Sequence, residues 1–129
     1  MKGHQESVLQ RACVAWFRRN YPDYALLLFA VPNGGGRSKV EAGIMKAEGV
    51  TAGVSDMILL MPNYYYHSLC IEFKCIKTYA EDGKFKTRKT YQSAEQKAWQ
   101  AAAEDAGNKY AVVRSLDEFA ELIEDYMRK

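Results

Sequence analysis

The segment Leu69-Cys70-Ile71-Glu72-Phe73-Lys74-Cys75-Ile76 constrains the fold more than any other part of the chain. It is an apolar run of strand length that carries a carboxylate and an ammonium group two residues apart. Side chains alternate across a strand, so Leu69, Ile71, Phe73 and Cys75 share one face, and Cys70, Glu72 and Lys74 the other. Glu72 and Lys74 then lie side by side, about 7 Å apart along the strand. A carboxylate buried in such a segment is costly unless it is paired. Two readings follow. The pair is either an ion pair on the solvent face of a half-exposed sheet, or part of a constellation assembled for chemistry.

Asp56 bears on that choice. It opens a second strand-like run, Asp56–Met61, broken by Pro62-Asn63. Antiparallel pairing of this run with the segment Tyr66–Ile76, in an even-sum register, brings Asp56 beside Glu72 and Lys74 on one face. Clustered carboxylates repel one another unless a cation intervenes, and hard oxygen donors suit Mg²⁺. A neighbouring lysine can orient an attacking water or neutralise a phosphate. The competing explanation for Asp56 is a turn residue after Gly53 that caps its own backbone.

The rest of the chain supplies a frame for a sheet. Glu6–Arg19 has the spacing of an amphipathic helix, with Val8, Leu9, Ala12, Cys13, Trp16 and Phe17 at three- and four-residue steps. Pro22 ends it, and the apolar run Tyr24–Val31 reads as a strand buried on both faces, followed by the loop Pro32-Asn33-Gly34-Gly35-Gly36. Lys39–Glu48 reads as a short helix. Lys77–Tyr91 reads as a polar, lysine-rich loop. Ser93–Ala106 is the clearest helix, with Ser93 as N-cap and Gly107 at its end. Lys109–Arg114 is a short strand and Leu116–Met127 a closing helix with Phe119, Ile123 and Tyr126 toward the core. The expected architecture is α/β: a small mixed sheet of about four strands flanked by helices, in one domain over residues 1–129.

Composition excludes several function classes. Apolar residues make up 48% and charged residues 26% of the 129, the balance of a globular domain rather than a disordered chain. No apolar run approaches the roughly 20 residues of a membrane helix, and the first residues lack the apolar stretch of a secretory signal. Cys13, Cys70 and Cys75 form no CxxC pattern, which argues for a reducing, cytoplasmic setting. Cys70 reads as a small core filler, Trp99 as a core residue, and His4 and His67 have no metal-ligand spacing. The net charge is only +2, but Lys77, Lys84, Lys86, Arg88 and Lys89 cluster against Glu81 and Asp82 alone. Such a segment is either a solvated loop or a surface that steers a polyanion.

Taken together, Asp56, Ile71-Glu72-Phe73-Lys74 and Ser93-Ala94-Glu95-Gln96-Lys97-Ala98-Trp99 resemble the virus-type replication–repair nuclease (VRR-NUC) domain of the PD-(D/E)XK nuclease superfamily. The resemblance extends to Glu6, to Pro32-Asn33-Gly34-Gly35, and to Gly53-Val54-Ser55-Asp56 where the family usually shows G-x-P-D. It implies the restriction-endonuclease-like fold and metal-dependent hydrolysis of DNA phosphodiester bonds, on branched substrates such as junctions or flaps, in replication, repair or recombination. A bacterial or virus-infected cytoplasm, a phage setting and a homodimer are implied by the same analogy. Asp56, Glu72 and the carbonyl of Phe73 would hold Mg²⁺, or Mn²⁺ in its place, and Lys74 would position the hydrolytic water. Glu6 would add an acidic group from the first helix, where its rival role is to complement the helix dipole. Gln96 would enter the site, although Ser93-x-x-Gln96 is also a capping box. Asn33, Gly34 and Gly35 would let backbone approach the phosphate or merely turn the chain, and Lys77, Lys84, Lys86, Arg88 and Lys89 would contact DNA phosphates. A non-catalytic nucleic-acid-binding module of the same fold, a restriction-type nuclease and an RNA-directed nuclease are the alternatives.

Overall fold

The computed structural model describes residues 4–32 and 38–129, without the side chain of Lys77. Helix α1 (His4–Asn20) buries Cys13 and Phe17, the inward stripe expected from its spacing. It ends where the Asn20 side chain donates to the Trp16 carbonyl at 2.8 Å. Pro22 then starts a 3₁₀ helix, Pro22–Leu27, not the strand expected there. Only β1 (Leu28–Ala30) is extended. The apolar run misleads because little of it is buried: Leu26 is 94% exposed, and β1 lies at the sheet edge with Leu28 alone buried. Pro22 pre-sets φ for a helical turn, and Ala25, Leu26 and Leu27 are compatible with it.

Helix α2 (Lys39–Ala47) is capped by Ser38, whose hydroxyl accepts from Glu41 N–H at 3.1 Å. Strand β2 (Met57–Leu59) pairs antiparallel with both β1 and β3 (Leu69–Phe73). The basic segment is not a loop. It forms a hairpin, β4 (Ile76–Glu81) and β5 (Lys84–Lys89), turning at Asp82 and Gly83, both with positive φ. Asp-Gly is the residue pair such a two-residue turn favours. Helix α3 (Ala94–Asp105), strand β6 (Lys109–Val113) and helix α4 (Leu116–Arg128) complete the chain. The main sheet has the order β1-β2-β3-β6, and only the β3–β6 pair is parallel. This is the mixed four-stranded sheet the sequence implies.

All of β3 is buried. Leu69, Ile71 and Phe73 join Phe17 of α1 and Phe119, Ile123 and Tyr126 of α4 in the core. The opposite face is closed by α3, where Trp99 packs against Tyr110 of β6. The β2–β3 connection is fixed by Asn63: its Oδ1 accepts from the N–H groups of Tyr65 and Tyr66 at 2.8 Å, and its Nδ2 donates to the Tyr126 carbonyl at 3.2 Å. A one-residue slip there would exchange the two faces of β3, so this connection sets which side chains reach the site.

Burial pushes the Cys13 thiol and the Tyr110 and Tyr126 hydroxyls up to about 12, from ordinary values of 9 and 10. Raised values mean that the fold favours the neutral forms. Their contribution is complete below about pH 9 and is lost as pH climbs toward 12. The urea midpoint is therefore expected to fall steeply across this alkaline window. Tyr126→Phe, which lacks the hydroxyl donating to the Met61 carbonyl at 2.6 Å, should show a lower midpoint at neutral pH and a shallower alkaline decline. Parallel declines in wild type and variant would contradict this assignment.

Candidate functional site

Met57 lies opposite Ile71 in the β2–β3 ladder, so Asp56, one step earlier, comes opposite Glu72. Met57 and Ile71 point into the core, which turns both carboxylates to the other face. Directly opposed side chains in an antiparallel pair are about 5 Å apart at Cβ. Asp56 is held from both sides. Its carbonyl accepts from Val31 N–H at 2.8 Å, and its Oδ2 accepts from Phe73 N–H at 2.8 Å. Glu72 is 2% exposed, so an ion pair on a solvated sheet face is not what this strand carries.

Gln96, in the first turn of α3, joins the remaining groups. Its Oε1 accepts from Lys74 Nζ at 3.0 Å and from Ser93 N–H at 2.9 Å, while its Nε2 donates to Glu72 Oε2 at 3.0 Å. Two donors on one atom and a carboxylate on the other fix which end of the amide is oxygen. The capping box is also present, with Ser93 Oγ accepting from Gln96 N–H at 3.2 Å. The helix cap and the bonds to Glu72 and Lys74 are compatible, because one side-chain amide makes both.

Gly53 keeps α3 against the loop that carries Asp56. Its φ is +87°, and a Cβ there would run into the Glu95 carbonyl in the first turn of α3. Ser55, next to Asp56, is fully buried and donates to the Met57 carbonyl at 3.0 Å. Lys74 N–H still pairs with the Val113 carbonyl at 3.0 Å, so the lysine stands on an extension of the β3–β6 ladder.

Asp56 lies where two clefts meet. One, of about 680 Å³, runs beneath α1 and includes Ser7, Gln10 and Arg11; the other, of about 810 Å³, reaches α2 and includes Gln96. Glu6, beside Ser7 on α1, is half-buried. Among the described residues no group of three His, Cys, Asp or Glu side chains is placed to hold a metal ion. Asn33, Gly34 and Gly35 lie outside the described residues, as does the side chain of Lys77. Lys84, Lys86, Arg88 and Lys89 stand on the exposed hairpin.

Sequence reasoning missed Ser7, Gln10 and Arg11. Their signal was available, since with Val14 and Arg18 they form a stripe at three- and four-residue steps on α1. It also missed Tyr110. Burial raises that hydroxyl's pKa first of all, and the negative charges of Glu72 and Asp56 add to the effect.

A solved structure described as a "VRR_NUC domain protein" superposes on this chain with a TM-score of 0.74 over 99% of this chain and 92% of that one, at 24% sequence identity. The chain has a VRR_NUC-type fold. The fold expected from the sequence resemblance is thus the one present, with Asp56, Glu72, Lys74 and Gln96 gathered on one side of its sheet. No family model and no curated protein matches the chain by sequence. No helix among the described residues is long and apolar enough to cross a membrane.

Proposed function

We propose that this chain is a divalent-metal-dependent endonuclease that hydrolyses DNA phosphodiester bonds. One observation carries the reading: Asp56 and Glu72 oppose each other across β2 and β3, with Lys74 tied to Glu72 through a single glutamine. The donor chemistry fits Mg²⁺ or Mn²⁺. Two carboxylates supply the hard oxygens that such an ion prefers, and it keeps several waters of its own. When bound, such an ion polarises the phosphate and acidifies a water.

The chain's own groups divide the remaining work. Asp56 and Glu72, with the Phe73 carbonyl, would hold the ion. Asp56 cannot swing away from this task without giving up its bond to Phe73 N–H. Lys74, its ammonium oriented by Gln96 Oε1, positions the attacking water and offsets charge growing on the phosphate. Glu6 contributes an acidic group from α1. Lys84, Lys86, Arg88 and Lys89 neutralise phosphates flanking the cut. Branched DNA is the preferred substrate, and two copies acting together would cut both strands of a junction.

The test is direct. The protein is incubated with supercoiled plasmid and four-way-junction DNA in Mg²⁺, Mn²⁺ or EDTA. Cleavage that needs metal is expected. Binding without cleavage under every condition would replace this reading with a non-catalytic nucleic-acid-binding module, and faster cutting of matched RNA substrates would reassign the substrate.

A further inference from the structure

The β4–β5 hairpin leaves the main sheet just after Lys74, and every described side chain on its two strands is exposed. Its register sorts those side chains onto two unlike faces. One face carries Glu81 opposite Lys84, Tyr79 opposite Lys86, and Arg88. The Arg88 guanidinium lies over the Tyr79 ring, 5.9 Å from its centroid, and Lys86 meets Glu81 at 3.5 Å in an exposed pair that is easily exchanged. The other face carries Ala80 opposite Phe85, Thr78 opposite Thr87, and Ile76 opposite Lys89. Phe85 is 85% exposed.

A two-stranded hairpin is at best marginally stable by itself, so apolar groups displayed on a bare one need an explanation. The root of this one is clasped to the catalytic strand's extension. Thr90 Oγ1 donates to the Cys75 carbonyl at 3.0 Å and accepts from Cys75 N–H at 3.2 Å. The segment Ile76–Lys89 holds five basic residues against two acidic ones, a surplus of positive charge larger than the +2 of the whole chain. Charge therefore selects a polyanion as its partner.

Resting on the endonuclease reading, we infer that the hairpin is an arm that enters the major groove of duplex DNA, its apolar face on the base edges and its basic side chains on the flanking phosphates. The major groove of B-form DNA admits a two-stranded ribbon, whereas that of A-form RNA is too deep and narrow for side chains to read. Alanine, phenylalanine and threonine methyl groups are the side chains that contact the thymine methyl there. Ala80, Phe85, Thr78 and Thr87 supply them on one face. The arm thus gives the nuclease a preference for thymine-bearing duplex beside the cut.

The experiment measures binding of the full chain, in EDTA, to an A·T-rich duplex and to its counterpart with deoxyuridine in place of thymidine. Wild type is expected to bind the thymine duplex about four- to fifteenfold more tightly, the worth of one or two buried methyl groups. Phe85→Ala should erase that ratio while keeping the salt dependence. Lys84→Gln and Arg88→Gln should each lower the slope of log affinity against log salt by about one. Equal affinity for both duplexes, or a Phe85→Ala variant that keeps the ratio, overturns the arm while metal-dependent cleavage of plasmid leaves the nuclease reading standing. Methyl-sensitive binding without cleavage in Mg²⁺ supports the arm and removes the nuclease. Failure to bind any duplex overturns the arm, and the nuclease reading falls with it only if metal-dependent cleavage of plasmid is absent as well.

Discussion

Glu72→Gln is expected to lower metal-dependent cleavage of supercoiled DNA at least about a hundredfold while leaving the thermal midpoint unchanged or higher. Glutamine has nearly the same shape, and its Oε1 can accept the Gln96 Nε2 bond now made by Glu72 Oε2. What disappears is one negative charge at a position 2% exposed and opposite a second carboxylate. Removing a buried charge that faces a like charge relieves desolvation and repulsion, so the folded state is not weakened. The ion, by contrast, loses one of the two opposed carboxylates proposed to hold it. Asp56→Asn should lose cleavage to a similar degree, with a smaller gain in stability because Asp56 is only half-buried and an asparagine oxygen can still accept from Phe73 N–H. Calorimetric Mn²⁺ titration should show weakened binding in both variants. Cleavage within a few-fold of wild type in a folded Glu72→Gln protein would remove the carboxylates from the chemistry and reduce them to packing.

The parts of this arrangement that were legible in the sequence are those where periodicity reports burial. Strand β3 announces itself because alternate apolar residues flank Glu72, and α4 because Phe119, Ile123 and Tyr126 recur on one stripe that the core buries. The β2–β3 register follows from the same logic, since only an even-sum pairing keeps Met57 and Ile71 inside. Two segments broke the rule in opposite directions. Tyr24–Val31 is apolar without being buried, so hydrophobicity suggested a strand where Pro22 had already set a helical turn. The hairpin is extended without being buried on either face, so its charges suggested a loop, and only Asp82-Gly83 carried the turn signal. A strand stabilised by its own partner rather than by a core carries only a weak alternation, here Phe85 and Thr87 between Lys84, Lys86 and Arg88, which the density of charge masks. The site has a similar divide. Asp56 and Glu72 are fixed by ladder register and can be reasoned out, whereas the link from Glu72 to Lys74 through Gln96 depends on how α3 docks, which no local pattern encodes.

Because Gln96 serves a helix cap and the site with one amide, two substitutions separate the roles. Ser93→Ala removes the hydroxyl that accepts Gln96 N–H but leaves all three bonds of the Gln96 side chain, since its bond to residue 93 uses the backbone. It should cost about 1 kcal/mol, roughly 4 °C in midpoint, with cleavage near wild type. Gln96→Ala removes the other half of the box and also the groups that hold Lys74 and Glu72. A comparable loss of stability is expected, accompanied by an about ten- to hundredfold fall in kcat with little change in KM, because the lysine and carboxylate lose orientation rather than existence. Gln96→Glu sharpens the comparison. It keeps an oxygen for Lys74 and for Ser93 N–H but turns a second carboxylate toward Glu72 Oε2, where the amide now donates at 3.0 Å. Two carboxyl groups at that separation share a proton, so activity should acquire a dependence on pH that wild type lacks, recovering as the pH falls and the new carboxyl becomes a donor again. If Ser93→Ala and Gln96→Ala lose stability alike and both cleave like wild type, the glutamine is a helix cap alone and the tie between Glu72 and Lys74 has no part in turnover.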